Sequence, residues 1–242
     1  KKPQPPLVKA RMRPEESLIS LPRNFEDLAL QDNLLQLLIK RKSSRVYTQG
    51  QVSLLALSFM LWASQGVKDI RGKSYATLRT VPSGGARHGF ETYLLVQNVE
   101  GLEAGKYHYL PIEHALEYLG PVEEAASFIN DSLLGQSWAS KASVVFYWSF
   151  VPYRCEWRYG IFAHRVALID AGYMNENLYL ACSALGLGTC GIAAFDGPLC
   201  DEAFELHGND EFMSLTATVG TISEKNSGEE KAFYRFLEED GL

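Results

Sequence analysis

The chain has 242 residues, 46% of them hydrophobic and 21% charged, with a formal net charge of -6. That length and apolar content support a substantial core, and the acidic balance leaves no global positive field to hold nucleic acid or an anionic membrane. The longest apolar runs, such as "SLLALSFMLWAS", fall short of the roughly 20 residues that span a bilayer, so the expected partners are small molecules or protein, with no nucleic acid and no membrane, and the few scattered cysteines point to the reducing cytoplasm.

In chain order, residues 1–24 carry "KKPQPPLVKARMRP" and little periodicity, which reads as an extended arm lying on a surface or a partner, leaving 25–242 as one domain. From Asn33, "NLLQLLIKRKSSR" has helical spacing with basic residues at its C-terminal end, where they complement the helix dipole. A second helix reads from Ser53 as N-cap to Gly66 as stop, with Leu54, Leu57, Leu61 and Trp62 on one broad apolar face. "ETYLLVQN" reads as a strand, "GKYHYLPIEHALEYLG" as a hairpin turning near Pro111, and "ASVVFYWSFV" as a central strand. Residues 161–185 form the longest helical stretch, ended by the breaker-rich "GLGTCG". A final strand, "MSLTATVG", precedes a polar tail whose aromatics suggest docking at its end. Helices before, between and after several strands predict an α+β domain on one sheet, with the long helix packed across it. Cys155, Cys182, Cys190 and Cys200 form neither a CxxC pair nor a zinc spacing; buried free thiols and no metal are expected.

Four segments carry candidate chemistry. In "KRKSSR", Lys40, Arg41, Lys42 and Arg45 surround the hydroxyls of Ser43 and Ser44, a grouping that suits a phosphate, although charge runs are usually solvated helix ends. Ser83, Gly84, Gly85 and Ala86, after Pro82, leave backbone unobstructed, so that a planar ring could lie against it or the chain simply turn tightly. "GLGTCGIAAFD" follows a helix, where a dinucleotide-binding glycine loop would follow a strand, and on its own is a helix stop. "CEWRYGIFAHR" offers Arg158, Tyr159, His164 and Arg165 ahead of the long helix, a cation beside a phenol that can orient a substrate or pass a proton. No G-x-S-x-G or H-E-x-x-H supports a hydrolase.

Taken in this order, "RKSSR", "LSFMLWASQGV", "RTVPSGGARHGFETYLLV", "VEGLEAGKYHYLP" and "DAGYMNENLYLACSALGLGTCGIAAFD" resemble the nitroreductase family of flavoproteins, and within it the SagB-type dehydrogenases, from about Leu38 to Gly220. The resemblance implies a nitroreductase-like fold, a mostly antiparallel central sheet flanked by helices, in a homodimer that binds FMN at its interface. It implies that Arg41, Lys42, Ser43 and Arg45 hold the FMN phosphate and ribityl chain. Pro82, Ser83, Gly84, Gly85 and Ala86 would line the isoalloxazine from the neighbouring subunit, and the main chain of Ile192, Ala193 and Ala194 would lie near flavin N5 and O4. SagB-type and azoline-oxidising relatives place a Lys-Tyr pair near the flavin; its counterpart here is Arg158 and Tyr159. An arginine is too basic to accept a proton, which leaves it an orienting role and Tyr159 the role of proton donor. The implied activity is hydride transfer through flavin N5 between a donor, NADH or NADPH, and a nitroaromatic, quinone or enone. The alternatives are a SagB-type dehydrogenase acting on a peptide azoline, a flavin-binding protein without turnover, and an enzyme that consumes reduced FMN.

Overall fold

The computed structural model describes residues 3–223 together with Glu230, Ala232 and Arg235. The expected docking of the polar tail otherwise lies outside the described residues. The arm forms the edge strand β1 (Ile19–Ser20), which pairs with the chain's own sheet. Asn33 caps α1 (Leu34–Lys40), its side chain accepting from the Gln36 N–H at 3.1 Å. Ser53 likewise caps α2 (Leu54–Gln65) through the Ala56 N–H. Both caps follow from a short oxygen-bearing side chain meeting an orphan first-turn donor. α1 stops at Lys40, short of the "KRKSSR" expectation. Arg41 turns to φ -55, ψ 124, and Ser44 N–H bonds to Thr189 O at 2.9 Å, so residues 41–45 run extended against a strand.

A small hairpin, β2 (Val67–Arg71) and β3 (Ala76–Arg79), leads into the glycine loop. Then come β4 (Phe90–Val96), β5 (Gly105–Leu110), β6 (Ala115–Gly120), α3 (Ala125–Ser132), β7 (Val144–Phe150), α4 (Pro152–Tyr159) and α5 (Ala163–Leu185). β8 (Leu187–Ile192), α6 (Gly197–Ala203) and β9 (Phe212–Thr221) complete the described fold. The sheet has the order β1-β6-β5-β4-β7-β9-β8, and every ladder in it is antiparallel. β7 is central, as its apolar run requires.

Strand alternation builds two cores. Phe90, Leu94, Phe146 and Trp148 face α2 and α5 through Leu57, Met60, Met174 and Leu178. Tyr93, Leu95, Val145 and Tyr147 face α3 and α6 through Ile129, Cys200 and Phe204. All four cysteines are buried and free. One expectation is corrected. "GLGTCG" is more than a helix stop: Gly186 ends α5 with φ +69, and the rest is strand β8. The strand's glycines, 188 and 191, answer to crowding, because a Cβ on Gly188 would sit 2.8 Å from the Ser44 side chain and one on Gly191 2.4 Å from Asn175. Strand propensity alone disfavours such a segment, and pairing with β9 overrides it.

Candidate active site

The basic segment and β8 converge on one side chain of α5. Tyr179 Oη lies 2.9 Å from Ser43 Oγ and accepts the Gly191 N–H at 2.8 Å, while Arg41 stacks 5.3 Å from its ring centroid. A cavity of about 550 Å³ opens here, lined by Lys40, Arg41, Lys42, Ser44, Tyr179 and Thr189 among others. Ser43 and Arg45 are not on that wall: the Ser43 hydroxyl is engaged by Tyr179, and the Arg45 guanidinium lies 5.7 Å over the Trp138 ring. Glu230 Oε1 accepts the Arg45 and Val46 N–H groups at 2.8 and 2.9 Å, fixing the extended backbone. Beyond it β8 delivers Ile192, which is buried, to a turn where Ala193 and Ala194 are exposed and Ala194 O accepts from Gln136.

The glycine loop is built around an acid on the same helix. Asp170 accepts from Ser83 Oγ at 2.6 Å and from Gly84 N–H at 3.1 Å, and Ser83 Oγ in turn accepts the His88 N–H. Burial pushes the Asp170 carboxyl up, and the bonds from Ser83 and Gly84 act against that shift. Gly85 has φ +59, and a Cβ there would come within 2.5 Å of the Arg158 side chain and 2.9 Å of Tyr159 Oη. Only glycine tolerates both the turn and the close approach. The structure therefore brings residues 82–86 together with Arg158 and Tyr159, with Pro82 exposed and 83–86 half-buried. Arg158 donates to Tyr75 Oη at 3.0 Å, and Arg87 donates to Gly85 O and Tyr75 O. Asp170, Tyr179 and Arg87 carry no motif of their own; only their place in the "DAGYMNENLYL" and "RTVPSGGARHG" stretches pointed near them, and Tyr75 lies outside both.

These two assemblies do not meet within one chain. Nine residues separate Asp170 from Tyr179, two and a half turns, which puts them on opposite faces of α5 and about 14 Å apart along its axis. Around the same helix, Ile161, Phe162, Leu168, Ile169 and Tyr173 are exposed, and so are Leu34, Leu35, Leu38 and Ile39 of α1.

A flavin nucleotide fits the Tyr179 end on two counts. Among the described residues the buried Thr189 hydroxyl and the buried Asn175 Oδ1 have no hydrogen-bond partner, and the basic wall of the cavity matches a phosphate. Gly191 lies so close to Asn175 that a Cβ would fall 2.4 Å from its Nδ2, so that the strand and the helix can approach here only at a glycine. Among the described residues no cluster of three or more His, Cys, Asp or Glu could hold a metal ion, and no helix is long and apolar enough to cross a membrane.

An antiparallel sheet flanked by helices, with a basic-walled pocket at one end of its long helix and a small-residue loop at the other, places the chain in the α+β class. Residues 38–221 match the nitroreductase family model, and the chain belongs to that family. MJ1384 of Methanocaldococcus jannaschii, a nitroreductase by its name alone, is 34% identical over 177 residues, covering 73% of this chain and 84% of that one. TfxB of Rhizobium leguminosarum bv. trifolii, named a trifolitoxin-processing protein, is 32% identical over 118 residues, 45% of this chain and 30% of its own length. This second likeness supports the SagB-type resemblance. A crystal structure from Ralstonia eutropha JMP134, named as a nitroreductase, superposes with a TM-score of 0.70 at 27% identity, covering 92% of this chain and 99% of that one.

Proposed function

We propose that the protein is an FMN-dependent oxidoreductase whose active site is shared between two copies, 25–242 forming one flavin-binding domain and 1–24 an arm. The observation that carries this reading is the placement of the phosphate-suited pocket and the glycine loop on opposite faces of α5. Neither assembly is a flavin site alone, and a two-fold dimer across the exposed apolar faces of α1 and α5 would set the loop of one copy over the pocket of the other. Bound FMN would supply two-electron chemistry, accepting a hydride from NADH or NADPH and passing it to a nitroaromatic, quinone or enone in the same emptied pocket. Arg41, Lys42, Ser44 and Thr189 would hold the phosphate, with Ser43 and Arg45 bracing the segment from behind. The small residues of 82–86 would let the ring approach main chain, and Ile192, Ala193 and Ala194 would offer main-chain groups at its reactive edge. Arg158 would orient the substrate, and the Tyr159 hydroxyl would deliver a proton.

The test is an anaerobic visible spectrum before and after NADH and then NADPH. Bands near roughly 370 and 450 nm that bleach support the reading. A protein that stays colourless when supplied with FMN sinks it. The TfxB likeness favours a second reading, a dehydrogenase acting on a peptide-borne ring, for which bound flavin would resist both nicotinamides and bleach with that substrate.

A further inference from the structure

We propose that the substrate taken at the glycine loop is planar and carries a carboxylate, recognised by Arg158 against a fixed positive field from Arg79 and Arg87. This rests on the reading of the loop as one wall of the flavin site. The observation is an excess of buried cation in an otherwise acidic chain. Arg79 and Arg87 are each only 5% exposed, and among the described residues neither has a carboxylate within ion-pair distance. Arg79 is held by neutral oxygens, Gln65 Oε1 at 2.7 Å and Thr77 Oγ1 at 3.2 Å, and its Nη2 has no hydrogen-bond partner among the described residues. Arg87 is sandwiched by aromatic rings, 4.8 Å from Tyr75 and 5.3 Å from Trp157, and donates only to carbonyls in the bonds described above.

Among the described residues two acids face this region, and both are committed. Glu91 is ion-paired with Arg154, and Asp170 is bonded to Ser83 and Gly84. Four guanidinium groups, at 79, 87, 154 and 158, therefore stand against two carboxylates. The ring of His88, buried beside Arg79, Arg154 and Arg87, senses the same field, its pKa lowered to about 2 by burial and by those cations. A buried charge without a counterion is costly, so an unbalanced pair kept at a ligand-facing loop points to an anion supplied from outside. Arg158 is the group able to meet it. Its planar fork is exposed, steadied at one nitrogen by Tyr75 Oη, and lies 5.9 Å from the Tyr159 ring. The Tyr159 ring beside it gives a planar carboxylic acid a stacking surface.

The experiment titrates benzoate and its neutral isostere benzamide into the FMN-loaded protein, following the visible flavin band, and into flavin-free protein, following tryptophan fluorescence. The expected result is benzoate binding at least tenfold tighter than benzamide. Arg158→Gln should erase that preference and Arg158→Lys restore part of it, with thermal midpoints unchanged because the side chain is exposed. Equal affinities, or a preference that survives Arg158→Gln, overturns the proposal. If the protein takes up no FMN yet keeps the preference in fluorescence, the flavin reading fails and the anion site stands. If flavin binds and no preference exists, the anion site alone fails.

Discussion

Gly85 is the residue at which conformation and contact agree most sharply. Its positive φ alone makes alanine cost about 1 kcal/mol, and the added Cβ would displace Arg158 and Tyr159 as well. Gly85→Ala should therefore lower kcat/KM tenfold or more while shifting the thermal midpoint only a few degrees; unchanged turnover would remove the loop from the site. Asp170 acts one step behind it. Asp170→Asn keeps the shape but replaces a charged acceptor for Ser83 and Gly84, a loss of about 1–3 kcal/mol in loop order. It should show as weakened flavin retention on dialysis with the fold intact by circular dichroism. The sequence made the glycines and the basic run visible because both depend on local residue type. Asp170 and Tyr179 were hidden, since each matters only through a partner more than 80 positions away, or across a strand that did not look like one.

Among the elements, the arm does more than lie on a surface. Lys9 Nζ bonds Glu211 Oε2 at 2.7 Å and Tyr93 Oη at 2.6 Å, Lys9 N–H donates to Glu91, and the Met12 and Arg13 N–H groups donate to Glu117. These acids are buried, Glu91 and Glu117 within the sheet and Glu211 just before β9, and Arg154 on α4 pairs with Glu91, so the arm braces the helix that ends in Arg158 and Tyr159. Lys9→Met strands the Glu211 charge and should cost about 3 kcal/mol by denaturant titration, with the arm becoming open to protease. Lys9→Met combined with Glu211→Gln should recover most of that loss; a double variant as unstable as the single one would show that Lys9 acts by packing alone. Helix caps, the β5–β6 hairpin and the central β7 were all legible from capping residues and apolar runs. β8 was not, because a glycine-rich edge strand takes its identity from β9 and from the crowding of Ser44 and Asn175 against it.

For the whole molecule, stability should peak near neutrality. Burial, aided by nearby cations, lowers His114 to about 4 and His88 to about 2. The unfolded chain binds protons at those rings below about pH 6.5 and the native chain does not, so stability falls as pH drops from there toward 4. His108 works in the opposite sense. Burial opposes its charge, but the hydrogen bonds its ring donates to Glu117 at 2.6 Å and Glu91 at 3.3 Å more than offset that and raise its pKa. Its contribution is complete below about pH 6.5 and is lost as pH climbs through the raised value. Denaturant midpoints at pH 5, 7 and 9 should trace this dome, and His114→Gln should flatten its acid side; an acid limb unchanged in that variant would refute the assignment.

The central claim, a site completed by a second copy, is tested most directly by complementation. One variant carries Arg41→Ala with Lys42→Ala and damages the pocket; the other carries Gly85→Val and damages the loop. Each alone should bind little FMN. Mixed by unfolding and refolding together at equal concentration, half the dimers are hybrids with one of two sites intact, so flavin content and turnover should recover to about a quarter of the unaltered protein. A mixture as inactive as its components would mean that pocket and loop serve the same chain, and would contradict the shared site.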